Sequence, residues 1–215
     1  MVFFVYNHWK KVGETMDDYQ FEKKLGIQTI VDEPATMHLV DNHSYEPTAY
    51  SVLELLANEV EIQQQDYFVD FGSGKGRVAI YANYRWGIPV TGVEYDALYV
   101  EVANMNRYLY CKKHGEKDIT FHHTLAQNYR IKQTDSIFFF FNPFSPAIFE
   151  TVLKNINASY DKHPRHMKII VYFPMFEYIE LLDWSPFQFI TEILMPPQLI
   201  LSPNDRLLIY ERQAF

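Results

Sequence analysis

The chain has 215 residues, of which 48% are hydrophobic and 17% aromatic. This composition excludes a disordered chain and predicts one globular domain with a substantial core. The formal net charge of −8 disfavours a broad basic surface for nucleic acid, although a local basic patch stays compatible with it. The single cysteine, Cys111, excludes an intramolecular disulfide and a cysteine-rich zinc site.

Residues 1–44 do not fit the strand and helix pattern of the rest of the chain. Within them we expect a short helix over residues 14–25, ended by Gly26, and an extended piece over residues 27–31. We interpret the segment as an N-terminal cap over the mouth of the site, with an extension that only adds packing as an equal alternative. Its apolar start, residues 1–6, is too short for a signal peptide, and no window approaches the roughly 20 apolar residues of a membrane span. We therefore expect a soluble, cytoplasmic protein without a membrane partner.

Residues 45–215 are predicted to form a single α/β domain. It begins with an amphipathic helix over residues 49–61, for which Thr48 is the expected N-cap. From residue 67 onward apolar runs alternate with helical segments, as in a parallel sheet covered by helices. The strands are expected at residues 67–71, 90–94, 119–123, 136–141, 168–173, 187–194 and 206–211, and the helices at residues 77–85, 97–113, 146–158 and near 176–182. The last two strands form a hairpin.

The end of the first strand contains Asp70, and a turn with Gly72, Gly74 and Gly76 leads directly into a helix. Glycine lets the backbone turn with positive φ and approach a ligand, and the helix N-terminus directs free N–H groups at that ligand. Glu94 ends the second strand twenty residues after Gly74, where an acid can accept hydrogen bonds from ribose hydroxyls. The sequence therefore predicts a nucleoside site at this edge of the sheet.

Three glycine-rich motifs compete for this turn. The dinucleotide fingerprint G-x-G-x-x-G needs one more residue between its glycines, and the P-loop G-x-x-x-x-G-K-[ST] fails because Val69 occupies its first glycine position. The turn closely resembles the D-x-G-x-G-x-G signature of the seven-strand, class I methyltransferases that use S-adenosylmethionine (SAM). That resemblance implies SAM as cofactor, S-adenosylhomocysteine (SAH) as product, and a Rossmann-like three-layer sandwich. Its sheet would be mostly parallel and seven-stranded, with an antiparallel last strand.

The same resemblance assigns roles to residues around the turn. Asp70 would lie near the methionine amino group, and the glycines with Ser73 would lie against the methionyl and ribose parts. Glu94 would bind the ribose hydroxyls. His123 and Thr124, at the end of the third strand, would border the adenine ring.

The fourth strand contains four consecutive phenylalanines, residues 138–141, and ends in Asn142, Pro143 and Phe144. At least three of the four phenylalanines are expected in the core. The tripeptide follows the carboxyl end of a strand, where open α/β sheets bind ligands. It is similar to the Asn/Asp-Pro-Pro-Tyr/Phe motif of amine-methylating enzymes, with one proline instead of two. The similarity implies that these three residues orient the target nitrogen for in-line methyl transfer, and that Asn142 also contacts the cofactor. A strand that merely ends at a proline is the alternative.

Taken together, Tyr45-x-x-Thr48, the glycine turn and Glu94 resemble the seven-strand protein-lysine methyltransferases over residues 45–144. That group includes the disruptor-of-telomeric-silencing histone methyltransferases and small bacterial relatives. The resemblance implies a lid in which Tyr45, Glu46 and Thr48 cover the cofactor. It favours methyl transfer to a protein amine. An RNA or DNA base, a small molecule and a non-catalytic SAM-binding module stay open, and the basic tail that docks the histone enzyme is missing.

The eight histidines do not predict a metal site. His163 and His166 are separated by Pro164, which prevents a shared helical face. His122 and His123 are adjacent in a strand and would point to opposite faces of the sheet. Structural or surface histidines are the favoured interpretation.

Overall fold

The computed structural model describes residues 16–30, 46–197, 200 and 202–214. The strands are β1 (Phe68–Phe71), β2 (Val90–Glu94), β3 (Ile119–His123), β4 (Ile137–Phe141), β5 (Met167–Tyr172), β6 (Gln188–Leu194) and β7 (Arg206–Arg212). The helices are α1 (Asp18–Leu25), α2 (Tyr50–Glu59), α3 (Arg77–Trp86), α4 (Ala97–His114), α5 (Pro146–Lys162) and α6 (Phe176–Asp183), with a short 3-10 turn at Ala126–Asn128. The predicted strands are all present, with ends that differ by at most one residue.

The seven strands form one sheet in the order β3-β2-β1-β4-β5-β7-β6. Neighbours from β3 to β5 pair in parallel, whereas β7 is antiparallel to both β5 and β6. The last strand therefore runs against all the others, and the prediction of a mostly parallel sheet with an antiparallel last strand is confirmed. The chain leaves β1 toward one edge of the sheet and later returns to the other side of β1 at β4. This reversal creates a crevice at the carboxyl ends of β1 and β4.

Two layers of core residues cover the two faces of the sheet, because side chains alternate along each strand. On β4, Phe139 belongs to the core on the face covered by α1–α4, and Phe138 and Phe140 belong to the core beneath α5 and α6. These three rings are buried, and Phe141 is only partly buried. The arrangement confirms the three-layer sandwich and the expectation that at least three of the four phenylalanines are core residues.

The described part of the predicted N-terminal cap, residues 16–30, packs against the helical layer on one face of the sheet. Asp17 and Gln20 form a capping box at the start of α1, and Gly26 ends the helix with a φ of 81°. Phe21 and Leu25 are buried in the core shared with α2 and α3. Residues 27–30 form no strand, unlike the predicted extended piece, whose last residue lies outside the described ranges.

The predicted N-cap of α2 was wrong. Ala49, not Thr48, occupies the N-cap position, and no side chain of that residue caps the helix. The first amide of the helix, the Tyr50 N–H, donates instead to the Asp18 carboxylate at 3.1 Å. A carboxylate from the distant helix α1 thus satisfies a donor that a local hydroxyl was expected to satisfy.

Among the helices in the described part of the chain, none has the length and apolar character that crossing a bilayer requires.

Candidate active site

A cavity opens at the carboxyl ends of β1, β2 and β4, at the reversal point of the sheet. Most of the predicted site residues line it: Glu46, Thr48, Asp70, Gly72, Ser73, Gly74, Glu94, Thr124, Asn142, Pro143 and Phe144. The structure thus brings the glycine turn, the acid after β2 and the tripeptide after β4 into one space. Tyr45, the first residue of the predicted lid, lies outside the described residues.

The glycine turn packs directly on the tripeptide after β4. Gly72 has a φ of 76°, and a Cβ built on it would lie 2.5 Å from the Cβ of Pro143. The turn also folds over the end of β2, because the N–H groups of Gly72 and Ser73 donate to the Val93 carbonyl at 2.9 and 3.1 Å. Only glycine can adopt this backbone conformation and also leave room for Pro143 at position 72.

Glu94 fixes the glycine turn through its carboxylate. One oxygen, Oε2, accepts the Gly74 N–H at 2.8 Å, and Oε1 accepts the N–H groups of Tyr95 and Asp96 at 2.9 Å each. Burial raises the pKa of Glu94, and the three backbone donors act in the opposite direction. Because a carboxylate oxygen can accept two hydrogen bonds, Oε2 keeps capacity for a hydroxyl of a ligand.

Asp70 and Ser73 bring buried polar atoms to the cavity. Asp70 Oδ2 and Ser73 Oγ are buried and have no hydrogen-bond partner within the described ranges. Burial, and secondarily the charge of Glu94, raises the pKa of Asp70 to about 8. Buried polar atoms are normally paired, so these two are suited to a ligand with donor groups, and a cationic ligand would favour the ionised Asp70. The residues present therefore fit the ammonium and hydroxyl groups of SAM.

The residues that follow β4 and β5 adopt the left-handed conformation side by side. Asn142 has a φ of 38° and Phe173 a φ of 52°, and the residues just before them, Phe141 and Tyr172, pair across the two strands. The left-handed region is rare for a bulky residue such as phenylalanine and costs roughly 1–3 kcal/mol, and such residues concentrate at functional sites. Both residues line the cavity. Each also precedes a proline, a repeated pattern by which Phe173 could have been found in the sequence.

Aromatic side chains form the wall of the cavity on this side. Phe141 and Phe173 line it, and the ring of Phe141 packs on that of Tyr172 with centroids 4.6 Å apart. Phe144 also borders the cavity, but its side chain is buried and its ring meets the edge of Phe140 at 6.1 Å. The exposed part of the aromatic wall is therefore contributed by residues that the tripeptide motif does not contain.

Two predicted cofactor residues do not line the cavity. Gly76 precedes α3, where a Cβ would lie 2.6 Å from the Phe121 ring, so the missing side chain serves packing against β3. His123 is exposed, and its Nε2 lies 3.0 Å from the Tyr95 carbonyl oxygen. The neighbouring Thr124 does line the cavity, and its N–H donates to the Glu94 carbonyl at 2.9 Å.

Sequence reasoning missed three lining residues with polar side chains, Arg77, Tyr95 and Tyr99. Arg77 follows the last glycine of the turn, and the two tyrosines follow Glu94. Their closeness in sequence to these motifs could have identified them as lining residues. Within residues 16–30, 46–197, 200 and 202–214, no group of three or more histidine, cysteine or acidic side chains could hold a metal ion.

The family model described as "Histone methylation protein DOT1" matches residues 30–139. A sequence search of curated proteins found no match.

Several solved structures share the fold. An RNA methyltransferase from Salinibacter ruber in complex with SAH gives a TM-score of 0.55 at 15% identity, covering 78% of this chain and 94% of that one. Precorrin-6y C5,15-methyltransferase from Geobacter metallireducens GS-15 gives 0.58 at 13% identity, covering 78% and 90%. Ribosomal protein L11 methylase from Lactobacillus delbrueckii subsp. bulgaricus gives 0.52 at 16% identity, covering 76% of each chain. At these identities the likeness establishes the fold alone.

Proposed function

Because the chain belongs to the DOT1 family of histone methylation proteins and is a SAM-dependent methyltransferase, we propose that it methylates an amine nitrogen of a protein side chain. The main support for the proposal is that the glycine turn and Asn142-Pro143-Phe144 line the same cavity. Close packing of Gly72 on Pro143 keeps the two halves of the site together. A nitrogen bound by the tripeptide would therefore lie beside a cofactor bound by the turn, which is the main requirement of in-line transfer.

On the cofactor side, Asp70 and Ser73 would pair with the methionine end of SAM, and Glu94 with its ribose hydroxyls. The unpartnered Asp70 Oδ2 and Ser73 Oγ support the first assignment. The remaining acceptor capacity of Glu94 supports the second. SAM, when bound, supplies an electrophilic methyl group on its positively charged sulfur.

On the acceptor side, Asn142 would orient the nitrogen, and Phe141 and Phe173 would enclose the carbon chain that carries it. A side-chain amide oxygen and a backbone carbonyl can accept two N–H hydrogen bonds of a neutral amine, which directs its lone pair away from them. Aromatic faces tolerate the positive charge that the nitrogen gains before its proton leaves. The left-handed backbone at Asn142 and Phe173 holds both residues at the cavity.

Charge supports a protein acceptor over a nucleic acid. With 27 acidic and 19 basic side chains, the chain as a whole repels phosphate groups and attracts basic proteins. A base of RNA or DNA also presents an amine nitrogen, attached to a planar ring, and is the alternative acceptor that the test must separate.

The test incubates the protein with methyl-labelled SAM and separated protein and RNA fractions of a cell extract. We expect label in the protein fraction that is resistant to ribonuclease and released by protease. Asn142→Ala should reduce turnover by about 100-fold or more, the size expected for loss of nucleophile positioning, with SAH affinity changed less than about twofold. The control is Asn128→Ala, because Asn128 is exposed and lies outside the cavity lining. Label in RNA alone, or full turnover in Asn142→Ala, would contradict the proposal.

A further inference from the structure

Arg77 is a buried cation at the start of α3, directly after the glycine turn. Its side chain is 2% exposed and it lines the cofactor cavity. Its Nε donates to Thr29 Oγ1 at 2.6 Å, and Nη1 donates to Asp18 at 2.6 Å and to the Thr48 carbonyl at 3.1 Å. Nη2 lies 3.3 Å from Glu22 Oε1. One guanidinium therefore connects the segment 16–30, the approach to α2 and the turn itself.

The acceptors around Arg77 are themselves connected. The second oxygen of Asp18 accepts the first amide of α2 at Tyr50, and the Tyr50 ring lies 4.7 Å from the guanidinium carbon. Glu22 accepts hydrogen bonds from both the N–H and the hydroxyl of Thr29. A planar fork of five N–H donors can bind acceptors in several directions at once, whereas a lysine ammonium is a compact charge.

This network reaches the cavity through the stretch before α2. Thr48, whose carbonyl is bound by Arg77, lines the cavity together with Glu46. By contrast, none of the described residues 16–30 lines it. Residues of α1 can therefore affect a ligand in the cavity only through their contacts with other parts of the chain.

We propose that Arg77 is a positioning residue for the cofactor, which couples the order of residues 16–30 to occupancy of the cavity. It holds residues 46–48 at the wall of the site with the carboxylates of α1 as its anchors. The role concerns SAM and SAH binding only, so it does not depend on which acceptor is methylated.

Coupling of this kind is reciprocal. If α1 supports cofactor binding through Arg77, then cofactor binding must stabilise α1 by the same factor. SAH should therefore slow amide hydrogen exchange within Asp18–Leu25, although no residue of that helix lines the cavity. An arginine that serves only the stability of the fold would not produce this response in the amides of α1 that exchange by local opening.

The matched variants are Asp18→Asn and Asp17→Asn, which each remove one carboxylate from the same end of α1. Asp18 binds Arg77, whereas Asp17 caps the helix through a bond that asparagine can also make. We expect calorimetry to show SAH affinity about tenfold weaker in Asp18→Asn, within the usual range of coupling between sites, and changed less than about twofold in Asp17→Asn. The slowing of exchange in α1 by SAH should be lost only in Asp18→Asn.

Arg77→Lys supplies a second measurement. Removing the charge outright would leave Glu22 without its cation and endanger folding, and lysine avoids this. A lysine cannot bind Thr48 and Thr29 together with both carboxylates, so SAH affinity should fall about tenfold although the variant folds. Equal SAH affinity in Asp18→Asn and Asp17→Asn would overturn the proposal. The same holds if SAH leaves exchange in wild-type α1 unchanged, or if Arg77→Lys loses stability but keeps its affinity. Because SAH binding needs no acceptor, these outcomes are independent of the methylation test.

Discussion

Replacing Gly72 by alanine should disrupt the site through one contact whose size can be worked out. The new Cβ would lie 2.5 Å from the Cβ of Pro143, far inside the ordinary carbon–carbon contact of about 3.5–4.0 Å. The left-handed φ of 76° adds a conformational cost of about 1–2 kcal/mol for a residue with a Cβ. Overpacking adds about 1–3 kcal/mol, so the free energy of unfolding should fall by roughly 2–5 kcal/mol.

Gly87 provides the matched control. It has a similar φ of 68°, but a Cβ built on it meets nothing within 4 Å. Gly87→Ala should therefore cost only the conformational part, about 1–2 kcal/mol. The difference between the two variants isolates the contact with Pro143, at about 1–3 kcal/mol.

Urea unfolding measures both free energies, and calorimetry measures SAH affinity in the folded variants. Because the glycine turn lines the cavity and must shift when the new Cβ meets Pro143, Gly72→Ala should weaken SAH binding by about tenfold or more, equivalent to about 1.4 kcal/mol. Gly87→Ala should bind SAH as the wild type does. Equal destabilisation by the two substitutions, with SAH affinity kept in both, would refute the claim that the turn and the tripeptide are locked by close packing.

Three further substitutions probe the cavity. Burial raises the pKa of Asp70 from 3.8 to about 8. Protonated Asp70 therefore contributes fully to the free energy of unfolding below about pH 4, and this contribution is lost as the pH rises through 8. The free energies of unfolding of Asp70→Asn and the wild type are compared by chemical unfolding without cofactor. Between about pH 6 and pH 9 the difference should shift by about 2–3 kcal/mol in favour of the variant, and a difference that does not change with pH would exclude this ionisation. Glu94→Gln loses one of two acceptor oxygens that bind three N–H groups, so it should lose about 1–3 kcal/mol of stability and weaken SAH binding; wild-type values of both would contradict the role of that carboxylate. Phe173→Leu should raise the KM for the methyl acceptor about tenfold, by loss of about 1.4 kcal/mol of aromatic contact, and leave SAH affinity within about twofold; unchanged acceptor kinetics would remove this ring from the acceptor wall.

Local patterns in the sequence were sufficient to predict the sheet, and most of the residues that they suggested for the cofactor line one cavity. The glycine spacing, the apolar run before Asp70 and the acid at position 94 are short-range features, and the parallel register then places them at one edge. The fourth strand was also predictable from local pattern, because a run of phenylalanines that ends shortly before a proline is typical of a buried strand and its end.

The rest depended on contacts between distant parts of the chain. Thr48 had the residue type and the approximate position of an N-cap, but the Tyr50 N–H donates to the carboxylate of Asp18, which lies 32 residues before Tyr50. Arg77 stood beside the glycine motif in the sequence, yet its partners in α1 and before α2 could not be inferred from spacing. Gly76 matched the motif, but the ring that requires glycine there is Phe121 from another strand.

The position of β7 between β5 and β6 has a consequence for how the two halves of the site are completed during synthesis. The proposed cofactor half lies at the ends of β1, β2 and β3, which come early in the described chain. The proposed acceptor wall also needs β7, because the N–H of Phe173 donates to the carbonyl of Arg206, at the beginning of that strand, at 3.1 Å. Until that strand has emerged from the ribosome, one side of β5 stays unpaired and β6 has no neighbour in the sheet. A nascent chain can thus assemble the cavity wall around the glycine turn before the wall at Phe173 is held in place.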